Sequence, residues 1–563
     1  MSGLFSKQRI VAPPGFNRWW VPPASVAIHL CIGSVYAWSI FDPTLTKALG
    51  VVGSAADDWT IEQTNLTYTL AIVFLGLAAA FGGRWMERVG PRLVGTVAAI
   101  CWGGGFLIGA LGIHLHNLWL LYLGYGVIGG CGLGLGYVSP VSTLIKWFPD
   151  RRGMAAGMAI MGFGGGAFVG APLKEWLIRM FYSAPDYIGK AGEVTLNTTK
   201  AGRRFTEVAG QVQEVVVVGP NEVGRMIVEG AEGVYAVGTG NAGVATAFVI
   251  LGVTYFLVMM VAAFSYRLPA DGWQPADWSP PSEDQATASM ITRHNVETNE
   301  ALKTPQFYLV WIVLCFNVTA GIGVIGIAKT MVREIFGTTL PGIVDAGFAA
   351  TYVLMISVFN MGGRFFWASL SDKIGRKTTY SIFFVLGILL YLSIPLAAMR
   401  VSASPHVFWL ICFYAATMVI FTMYGGGFAT VPAYLADLFG ARFVGGIHGR
   451  LLTAWSIAGV LGPVAITWLR EQTRRDAIGK LASLVDRSEF QQSFGAAVEE
   501  LPALIEAKTV TIAKLMVIAP PNTIDPTAGL YNLPMFLMSA LLALALLANL
   551  WIRPVDTKHH LTD

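Results

Sequence analysis

Long apolar runs dominate the hydrophobic pattern of this chain, and most of them are separated by short polar connections. An α-helix rises about 1.5 Å per residue, so roughly 20 apolar residues cross a hydrocarbon core about 30 Å thick. The pattern therefore predicts an all-α polytopic membrane protein with twelve transmembrane helices. The predicted spans, numbered 1 to 12 in chain order, are 18–42, 61–86, 90–113, 118–146, 153–182, 243–267, 305–333, 342–371, 375–399, 405–436, 443–470 and 531–553.

The composition agrees with a membrane protein. Of the 563 residues, 54% are hydrophobic and only 13% are charged, whereas about 25% of an average soluble chain is charged. The 64 glycines suit close helix packing and the 17 tryptophans suit membrane interfaces. All five cysteines fall inside apolar segments without the spacing of a metal site. We therefore expect them to pack as small buried residues, with no metal.

Basic residues concentrate in alternate connections, and this predicts the orientation of the chain. The connections between spans 2 and 3, 4 and 5, and 8 and 9 are basic, whereas the first connection holds Asp57, Asp58 and Glu62. We expect both termini to be cytoplasmic and the protein to be multi-pass in a bacterial inner membrane. The basic residues of the three connections are Arg84, Arg88 and Arg92; Lys146, Arg151 and Arg152; and Lys373, Arg376 and Lys377.

Two ten-residue segments show an internal repeat. GRWMERVGPR at 83–92 and ASLSDKIGRK at 368–377 each follow the second span of a six-span half. Such repeats are typical of transporters whose site lies between two halves, and charged turns can hold helix ends and release them when the halves move. Ordinary solvated loop charge is the alternative. The predicted gating residues are Gly83, Arg84, Glu87, Arg88, Gly90, Asp372, Lys373, Gly375 and Arg376.

Three polar stretches are too long to be simple connections. Residues 268–304 form a Pro-rich linker between the halves. The insertion 183–242 contains the pattern of strands around a turn, and the insertion 471–530 is largely helical by spacing, with a strand at its end as an option. We expect both insertions to lie outside and to pack together as a small mixed α/β extracytoplasmic cap; two independent loops are the alternative. The predicted domains are 1–182 (spans 1 to 5), 183–242, 243–267 (span 6), 268–304, 305–470 (spans 7 to 11), 471–530 and 531–563 (span 12 and a cytoplasmic tail).

One arginine interrupts span 8. Arg364 lies eight residues before Asp372, which is roughly 12 Å along a helix and therefore near the middle of the hydrocarbon core. A charge at that depth costs several kcal/mol unless it faces a polar cavity or a partner. An anionic ligand would satisfy it, and so would a structural salt bridge, but the nearby acids Asp345 and Glu175 lie toward the outer ends of their spans. Asn360 shares a helix face with Arg364.

Four segments carry a resemblance to a known family. They are GSVYAWSIF (33–41), KWFPDRRGMAAGMAIMGFGGG (146–166), LKTPQFYLVW (302–311) and NMGGRFFWASLSDKIGR (360–376). In this order they resemble the oxalate/formate antiporter family of the major facilitator superfamily, which is related to the monocarboxylate transporters. The resemblance covers essentially all the spans but neither insertion. It implies the major facilitator fold, with two pseudo-symmetric six-helix halves, and transport of small carboxylates.

The resemblance also implies residue roles. Arg364 occupies the position of the arginine that binds the substrate carboxylate, for which a planar guanidinium is well suited. Asn360 stands where animal monocarboxylate transporters have a proton-carrying aspartate, so we expect it to hydrogen-bond the substrate instead. Trp455 stands where oxalate-exchanging members place a lysine, which favours a monoanion over a dianion. The aromatic residues at site-lining positions of the family are Tyr36, Tyr137, Phe163, Tyr424 and Phe428.

The histidines of the spans leave alternatives open. His29, deep in span 1, could relay a proton near neutral pH, or it could be a neutral core residue. His448 and Arg450 are expected at the membrane interface, near the cytoplasmic end of span 11. The sequence contains no GK(S/T) phosphate loop, no HExxH and no paired catalytic carboxylates. We therefore expect no enzyme activity and no cofactor.

The sequence thus predicts a secondary active transporter of a small organic monocarboxylate, such as formate, lactate or pyruvate, working by alternating access. Proton symport and anion exchange both stay open. One alternative is an oxalate/formate exchanger, and another is a carboxylate sensor that does not transport. The expected partners are the small carboxylate, a coupled proton as an option, and the lipid bilayer, with no nucleic acid; the oligomeric state is undetermined.

Overall fold

The computed structural model describes residues 3, 5–46, 59–198, 203–219, 230–276, 278–280, 282, 290–507 and 509–561. Within these residues twelve helices are long and apolar enough to cross a membrane. They correspond one to one with the predicted spans, so the all-α membrane fold is confirmed. The bounds of spans 1 to 12 are Arg18–Ile40, Ile61–Val89, Pro91–His114, Leu118–Trp147, Arg152–Phe181, Val244–Ser265, Pro305–Phe336, Gly347–Ile374, Arg376–Ala403, Val407–Phe439, Val444–Leu484 and Pro526–Trp551.

The chain forms two compact units. The first unit contains Met1–Thr304, Pro432–Ser456 and Pro554–Asp563, and the second contains Pro305–Val431 and Ile457–Arg553. The end of span 10 and the start of span 11 therefore belong to the first unit, although the two spans are mostly in the second. We call Pro432–Ser456 the hairpin segment.

Glycines bring the helices of the first unit into backbone contact. A side chain at Gly134 of span 4 would collide with the backbone at Leu75 of span 2. A side chain at Gly166 of span 5 would likewise collide with the backbone at Gly33 of span 1. Membrane helices associate through such close van der Waals packing because lipid supplies no hydrophobic drive. The glycine-rich stretches of spans 4 and 5 therefore act in packing.

Two spans of the first unit are irregular. Span 1 is an α-helix over Val21–Gly33 and then a 3₁₀-helix over Ser34–Ile40, inside which Ala37 leaves the helical region with φ −95° and ψ 29°. Span 4 contains a π-helical segment, which often marks a functional position. Its parts are Leu118–Leu121, the π-helix Tyr122–Gly129, and Gly130–Trp147. Other helices of this unit are Lys7–Ile10, Arg18–Trp20, Asp42–Thr46, Thr298–Ala301, Val444–Leu451 and Thr557–His559.

A half-buried polar cluster links three spans of the second unit. Glu334 of span 7 forms an ion pair with Arg470 of span 11. The hydroxyl of Tyr531 in span 12 donates to the same carboxylate at 2.5 Å. Since an acid, a base and a hydroxyl satisfy one another here, three spans can share polar groups within an apolar environment.

The first insertion forms a small antiparallel sheet in the first unit. The strand order is β2-β6-β5-β4-β3, and β1 pairs with β7 where the insertion leaves span 5 and enters span 6. The predicted strand character is confirmed for Gln211–Val218, whereas the predicted turn and second strand fall largely on 220–229, outside the described residues. The strands β1 to β7 are Tyr182–Ser183, Tyr187–Gly189, Asn197–Thr198, Arg204–Val208, Gln211–Val218, Gly233–Ala236 and Asn241–Ala242.

The second insertion differs from its prediction in two ways. The helix Thr453–Leu484 continues past the predicted boundary at 470. Its 32 residues span about 48 Å, so the helix is longer than the hydrocarbon core is thick. The optional strand near its end is a helix, Ile512–Ile518, because the hydroxyl of Thr511 caps it by accepting from the amide of Lys514 at 3.3 Å. The remaining helices are Arg487–Phe494, Val498–Glu500, Leu501–Glu506, Pro526–Tyr531 and Asn532–Trp551. A shared cap of both insertions stays a prediction.

The described part of the linker packs within the first unit. The amide of Val296 donates to the carbonyl of Phe439 at 2.8 Å, and the amide of Leu561 donates to the carbonyl of Asn295 at 2.9 Å. His560 stacks on His294 with ring centroids 5.0 Å apart. Burial and the neighbouring His294 lower the pKa of His560. The linker thus joins the hairpin segment and the C-terminal tail.

Candidate functional site

The second unit places Arg364 in the middle of a continuous helix. That helix runs over Ala346–Ile374, and the Arg364 side chain is 0% exposed. Asn360, one turn earlier, is also buried, and its Oδ1 accepts a hydrogen bond from Nε of Arg364 at 3.1 Å. The shared helix face predicted for these two residues is therefore present. The bond holds the plane of the guanidinium in one orientation.

Span 10 packs aromatic rings against this arginine. The guanidinium carbon lies 5.3 Å from the ring centroid of Phe428, a cation–π distance. The ring of Tyr424 lies 5.4 Å from that of Phe428. Gly425, which follows Tyr424 in span 10, lets span 10 approach span 8 closely, because a side chain at this position would collide with Asn360. Four residues predicted from the sequence thus form one group, the arginine group.

The two acids considered as salt-bridge partners are engaged elsewhere. Asp345 caps span 8 by accepting from the amide of Phe348 at 2.7 Å. Glu175 pairs with Arg179 at 3.0 Å on an exposed helix surface. Both contacts are local, within one turn of helix. Neither acid therefore serves as the counter-ion that the rival interpretation of Arg364 requires.

The first unit brings together four further residues predicted from the sequence. Tyr36, Tyr137, Phe163 and Trp455 come from spans 1, 4, 5 and 11. The ring of Trp455 lies 5.2 Å from Phe163, 5.4 Å from Tyr137 and 6.2 Å from Tyr36. Phe163 lies 5.1 Å from Tyr36 and 5.4 Å from Tyr137. Such edge-to-face rings form an apolar surface with polar tips. We call these four residues the aromatic group.

Two histidines border the aromatic group. The ring of His29 lies 5.1 Å from Tyr137, and its Nδ1 lies 3.1 Å from the carbonyl oxygen of Ser25. His448 lies 5.9 Å from Tyr137 and is only 1% exposed. His448 is therefore covered by protein, and its expected depth at the membrane interface stays a prediction. The helix Val444–Leu451 packs tightly on span 2 and carries His448 inward.

The two charged turns share one backbone geometry. Spans 2 and 8 end at Gly90 and Gly375, which have φ of +89° and +84°. Only glycine adopts such angles readily, so the sequence repeat is also a structural repeat. In the second turn Asp372 pairs with Arg376 at 2.6 Å. Arg376 also donates to the hydroxyl of Ser371, while Lys373 is exposed.

The first turn reaches the hairpin segment. The carboxylate of Glu87 accepts from Nζ of Lys146 at 2.9 Å and from the amide of Gly445 at 3.2 Å. A side chain on Gly83 would collide with the carbonyl of Gly445. Arg84 and Arg88 are exposed. Of the predicted turn residues, Glu87 and Gly83 therefore make the contacts to the hairpin segment.

The motif WFPDRRG joins the same region. Asp150 accepts a bidentate pair of hydrogen bonds from Arg18, at 2.6 and 2.9 Å. Arg152 pairs with Asp437 of the hairpin segment at 3.0 Å. The charges of this connection thus bind the start of span 1 and the end of span 10.

Comparison with known proteins decides the family. The family model described as the Major Facilitator Superfamily matches residues 25–185 and 234–463. The chain belongs to the Major Facilitator Superfamily. The matched ranges leave out 186–233, which contains β2 to β5 of the insertion sheet.

Relatives of this facilitator agree with the assignment. It is 23% identical over 450 residues to the oxalate:formate antiporter of Oxalobacter formigenes, covering 79% of this chain and 83% of that protein. It is 23% identical over 505 residues to the apicoplast pyruvate carrier 1 of Toxoplasma gondii, covering 80% and 82%. The crystal structure of the E. coli fucose:proton symporter shares the fold, with a TM-score of 0.52, 11% identity, and coverage of 94% of this chain and 98% of that one. The predicted resemblance and the major facilitator fold are confirmed.

Sequence reasoning missed two residues of this facilitator. His448 borders the aromatic group, and Lys174 lies fully buried in span 5. For Lys174 the signal was available, since a lysine inside a segment otherwise fit for lipid raises the same question as Arg364. For His448 no local signal existed, because its burial follows from the packing of Val444–Leu451 against span 2.

Proposed function

We propose that this facilitator is a secondary active transporter of a small organic monocarboxylate, moving it by alternating access across the inner membrane of a bacterium. The observation that carries the proposal is the arginine group. Arg364 is fully buried at the middle of span 8 and held by Asn360 and Phe428. A buried cation in a transporter family marks a position for an anion.

The chemistry of the arginine group suits a carboxylate. A guanidinium presents parallel N–H donors that match the two oxygens of a carboxylate, and charge-assisted bonds are strongest away from water. Asn360 orients the guanidinium of Arg364 by accepting from its Nε, and the Asn360 amide can also contact a second oxygen of the substrate. Tyr424 offers a further hydroxyl donor on the neighbouring span. We assign these three residues and Phe428 to substrate binding.

The aromatic group supports a monoanion with a small apolar part. Tyr36, Tyr137, Phe163 and Trp455 supply ring faces and edges, and we assign them to the substrate as well. The family resemblance implies that Trp455 stands where oxalate-exchanging members place a lysine, so position 455 supplies no second charge. The two named relatives are called after oxalate, formate and pyruvate, which supports a small carboxylate as the substrate class.

Gating is proposed for the charged turns and the hairpin segment. The bonds of Glu87 to Lys146 and to the amide of Gly445 hold the hairpin segment against span 2. Both side chains of this pair keep some contact with water, and an ion pair in contact with water can break and reform during a cycle. We therefore propose that this contact opens during one step of transport. We also propose that both termini lie on the cytoplasmic side.

Counterflow in proteoliposomes tests the function. Vesicles holding the purified protein are loaded with unlabelled formate, lactate, pyruvate or oxalate, and entry of labelled pyruvate or formate is followed. We expect rapid entry driven by internal monocarboxylate and weak competition by oxalate. Strong exchange of oxalate with formate would establish the exchanger alternative. Binding without movement of label would establish the sensor alternative and refute transport.

Replacing Arg364 tests the observation on which the proposed function rests. We expect Arg364→Gln to lower uptake at least 100-fold, because losing one partner of a desolvated charge pair costs about 3–5 kcal/mol. Arg333→Gln is the matched control, since Arg333 is an exposed arginine near the end of span 7. The proposal is wrong if Arg364→Gln folds normally and retains the uptake of the control.

A further inference from the structure

Lys174 of span 5 is a buried cation outside the arginine group. Its side chain is 0% exposed. Among the residues that the structure describes, no carboxylate lies within 4.0 Å of its ammonium group. An ammonium removed from water is costly unless other polar groups surround it. Its partners therefore indicate what it does.

The partners of Lys174 all lie in one short segment, Ser34 to Phe41, at the end of span 1. Nζ donates to the carbonyl oxygen of Ser34 at 2.7 Å and to that of Ala37 at 3.3 Å. It also lies 4.7 Å from the ring centroid of Phe41, a cation–π contact. Two carbonyl dipoles and an aromatic face thus replace the hydration of the ammonium.

The accepting carbonyls belong to the interrupted part of span 1. The 3₁₀-helix Ser34–Ile40 follows the α-helix Val21–Gly33, and Ala37 has non-helical angles. In a 3₁₀-helix the carbonyls bond to amides three residues ahead with poorer geometry than in an α-helix, and each carbonyl oxygen can accept a second bond. Lys174 donates such a bond to Ser34 and to Ala37. The lysine therefore holds the irregular part of span 1.

Close packing brings the two elements together. Gly166 lies against Gly33, and a side chain on Gly170, one turn before Lys174, would come within 3.1 Å of Ser34. Span 5 can therefore run along span 1 with its backbone almost touching. Lys174 then reaches the carbonyls from the next turn.

The interrupted segment carries a residue of the aromatic group. Tyr36 lies between the two carbonyl acceptors Ser34 and Ala37 in the sequence, and its ring contacts Phe163 and Trp455. We propose that Lys174 is a positioning residue, a tethered cation that holds the interrupted segment of span 1 and thereby orients Tyr36 for substrate recognition. The inference rests on the proposed function in that Tyr36 contacts the substrate.

The ammonium group of Lys174 occupies a position of the kind that binds a free cation in some transporters. In other transporters, carbonyls freed by broken helices bind a coupling cation such as sodium. Here a covalently attached ammonium already occupies the carbonyls of Ser34 and Ala37. Removing it with Lys174→Ala leaves those carbonyls open to a small amine. Methylammonium is therefore a direct probe of this role.

The kinetic test separates positioning from bulk stability. We expect Lys174→Met to raise KM in counterflow at least tenfold, with a smaller change in kcat, and Lys174→Gln, which keeps an N–H donor, to give an intermediate KM. The matched control is Trp102→Phe, which removes another buried bond to span 1, from Nε1 to the carbonyl of Cys31 at 3.1 Å. The control should lower thermal stability and leave KM within twofold.

A double-variant comparison tests the route through Tyr36. In a Tyr36→Ala background, Lys174→Met should add less than twofold to KM, because the residue that it positions is gone. Full additivity would overturn the inference. An unchanged KM in both Lys174→Met and Lys174→Gln would overturn it as well.

A conformational readout keeps the inference distinct from the proposed function. In a background without native cysteines, Tyr36→Cys is alkylated with a small maleimide, with Lys174 intact or replaced by Met. We expect the alkylation rate to change at least fivefold, and methylammonium to restore it in the Lys174→Ala variant. A normal uptake of Arg364→Gln would remove the proposed function but leave this rate change. An unchanged rate would refute the positioning role even if Arg364 proves essential.

Discussion

Single side chains carry the recognition proposed for this protein. The arginine group and the aromatic group together hold every substrate residue predicted from the sequence, four in each unit. Arg364 was expected to be costly in lipid, and its burial against Asn360 and Phe428 shows how the second unit accommodates the charge. Lys174 is also a buried cation, and two carbonyl oxygens of span 1 stabilise its charge. We propose that Arg364 binds the substrate anion, whereas Lys174 contacts carbonyl oxygens of span 1.

At the residue scale, we expect the number of cationic side chains at the substrate to decide whether a monoanion or a dianion is preferred. We expect Trp455→Lys to raise competition by oxalate relative to formate at least tenfold, because a second cation adds one charge-assisted interaction worth roughly 1.5–3 kcal/mol. The measurement is inhibition of counterflow by each anion. Trp455→Phe is the control for lost packing, since Trp455 is fully buried among three rings. Equal oxalate competition in the two variants would contradict the assignment of position 455.

Broken and closely packed helices make up the next scale. Span 1 changes to a 3₁₀-helix at Ser34 and span 4 contains a π-segment over Tyr122–Gly129. Span 11 is divided between Val444–Leu451 and Thr453–Leu484. The 3₁₀-helix of span 1 carries Tyr36 of the aromatic group, and the break in span 11 lies inside the hairpin segment. The irregular helices are therefore concentrated where function is proposed.

The packing of the hairpin segment on span 2 gives a prediction for an element. A side chain on Gly449 would collide with the carbonyl of Ala79, so Gly449→Leu should force this contact open and reduce uptake. We expect a Cys placed at the buried position Ser142, near Gly445, to be alkylated several-fold faster in that variant. Gly104→Leu is the control, because open space surrounds Gly104. Equal labelling in both variants would show that the contact does not gate access.

The whole molecule consists of two units with an insertion after span 5 and another after span 11. The first insertion forms a sheet within the first unit, and the second forms helices within the second unit. Helices Thr453–Leu484 and Asn532–Trp551 flank the second insertion. Both insertions follow equivalent spans, so the orientation predicted from basic residues places them on the same side.

Sidedness is the prediction at this scale. In a variant whose five native cysteines are replaced by Ala, we expect Lys373→Cys to react with an impermeant maleimide only from the cytoplasmic side. Val212→Cys, on β5 and 76% exposed, should react only from the opposite side. Right-side-out and inside-out vesicles give the two measurements. Labelling of both positions from one side would overturn the topology.

Much of this architecture could be predicted from the order of residues. Twelve apolar runs specify twelve helices, because in lipid a helix must satisfy its own backbone. The repeated turns at Gly90 and Gly375 and the cost of a charge at position 364 are local properties as well. For these features, neighbours along the chain are enough to determine the outcome.

Other features depended on contacts between distant segments. The burial of His448 and the contact of Lys174 with span 1 each require two helices from different parts of the chain. The hairpin segment joined the first unit through contacts such as Glu87 to Gly445, which are 358 residues apart. Hydrophobic periodicity records which residues avoid water, but not which helix faces meet. Close packing of specific side chains and glycines settles that choice when the chain folds.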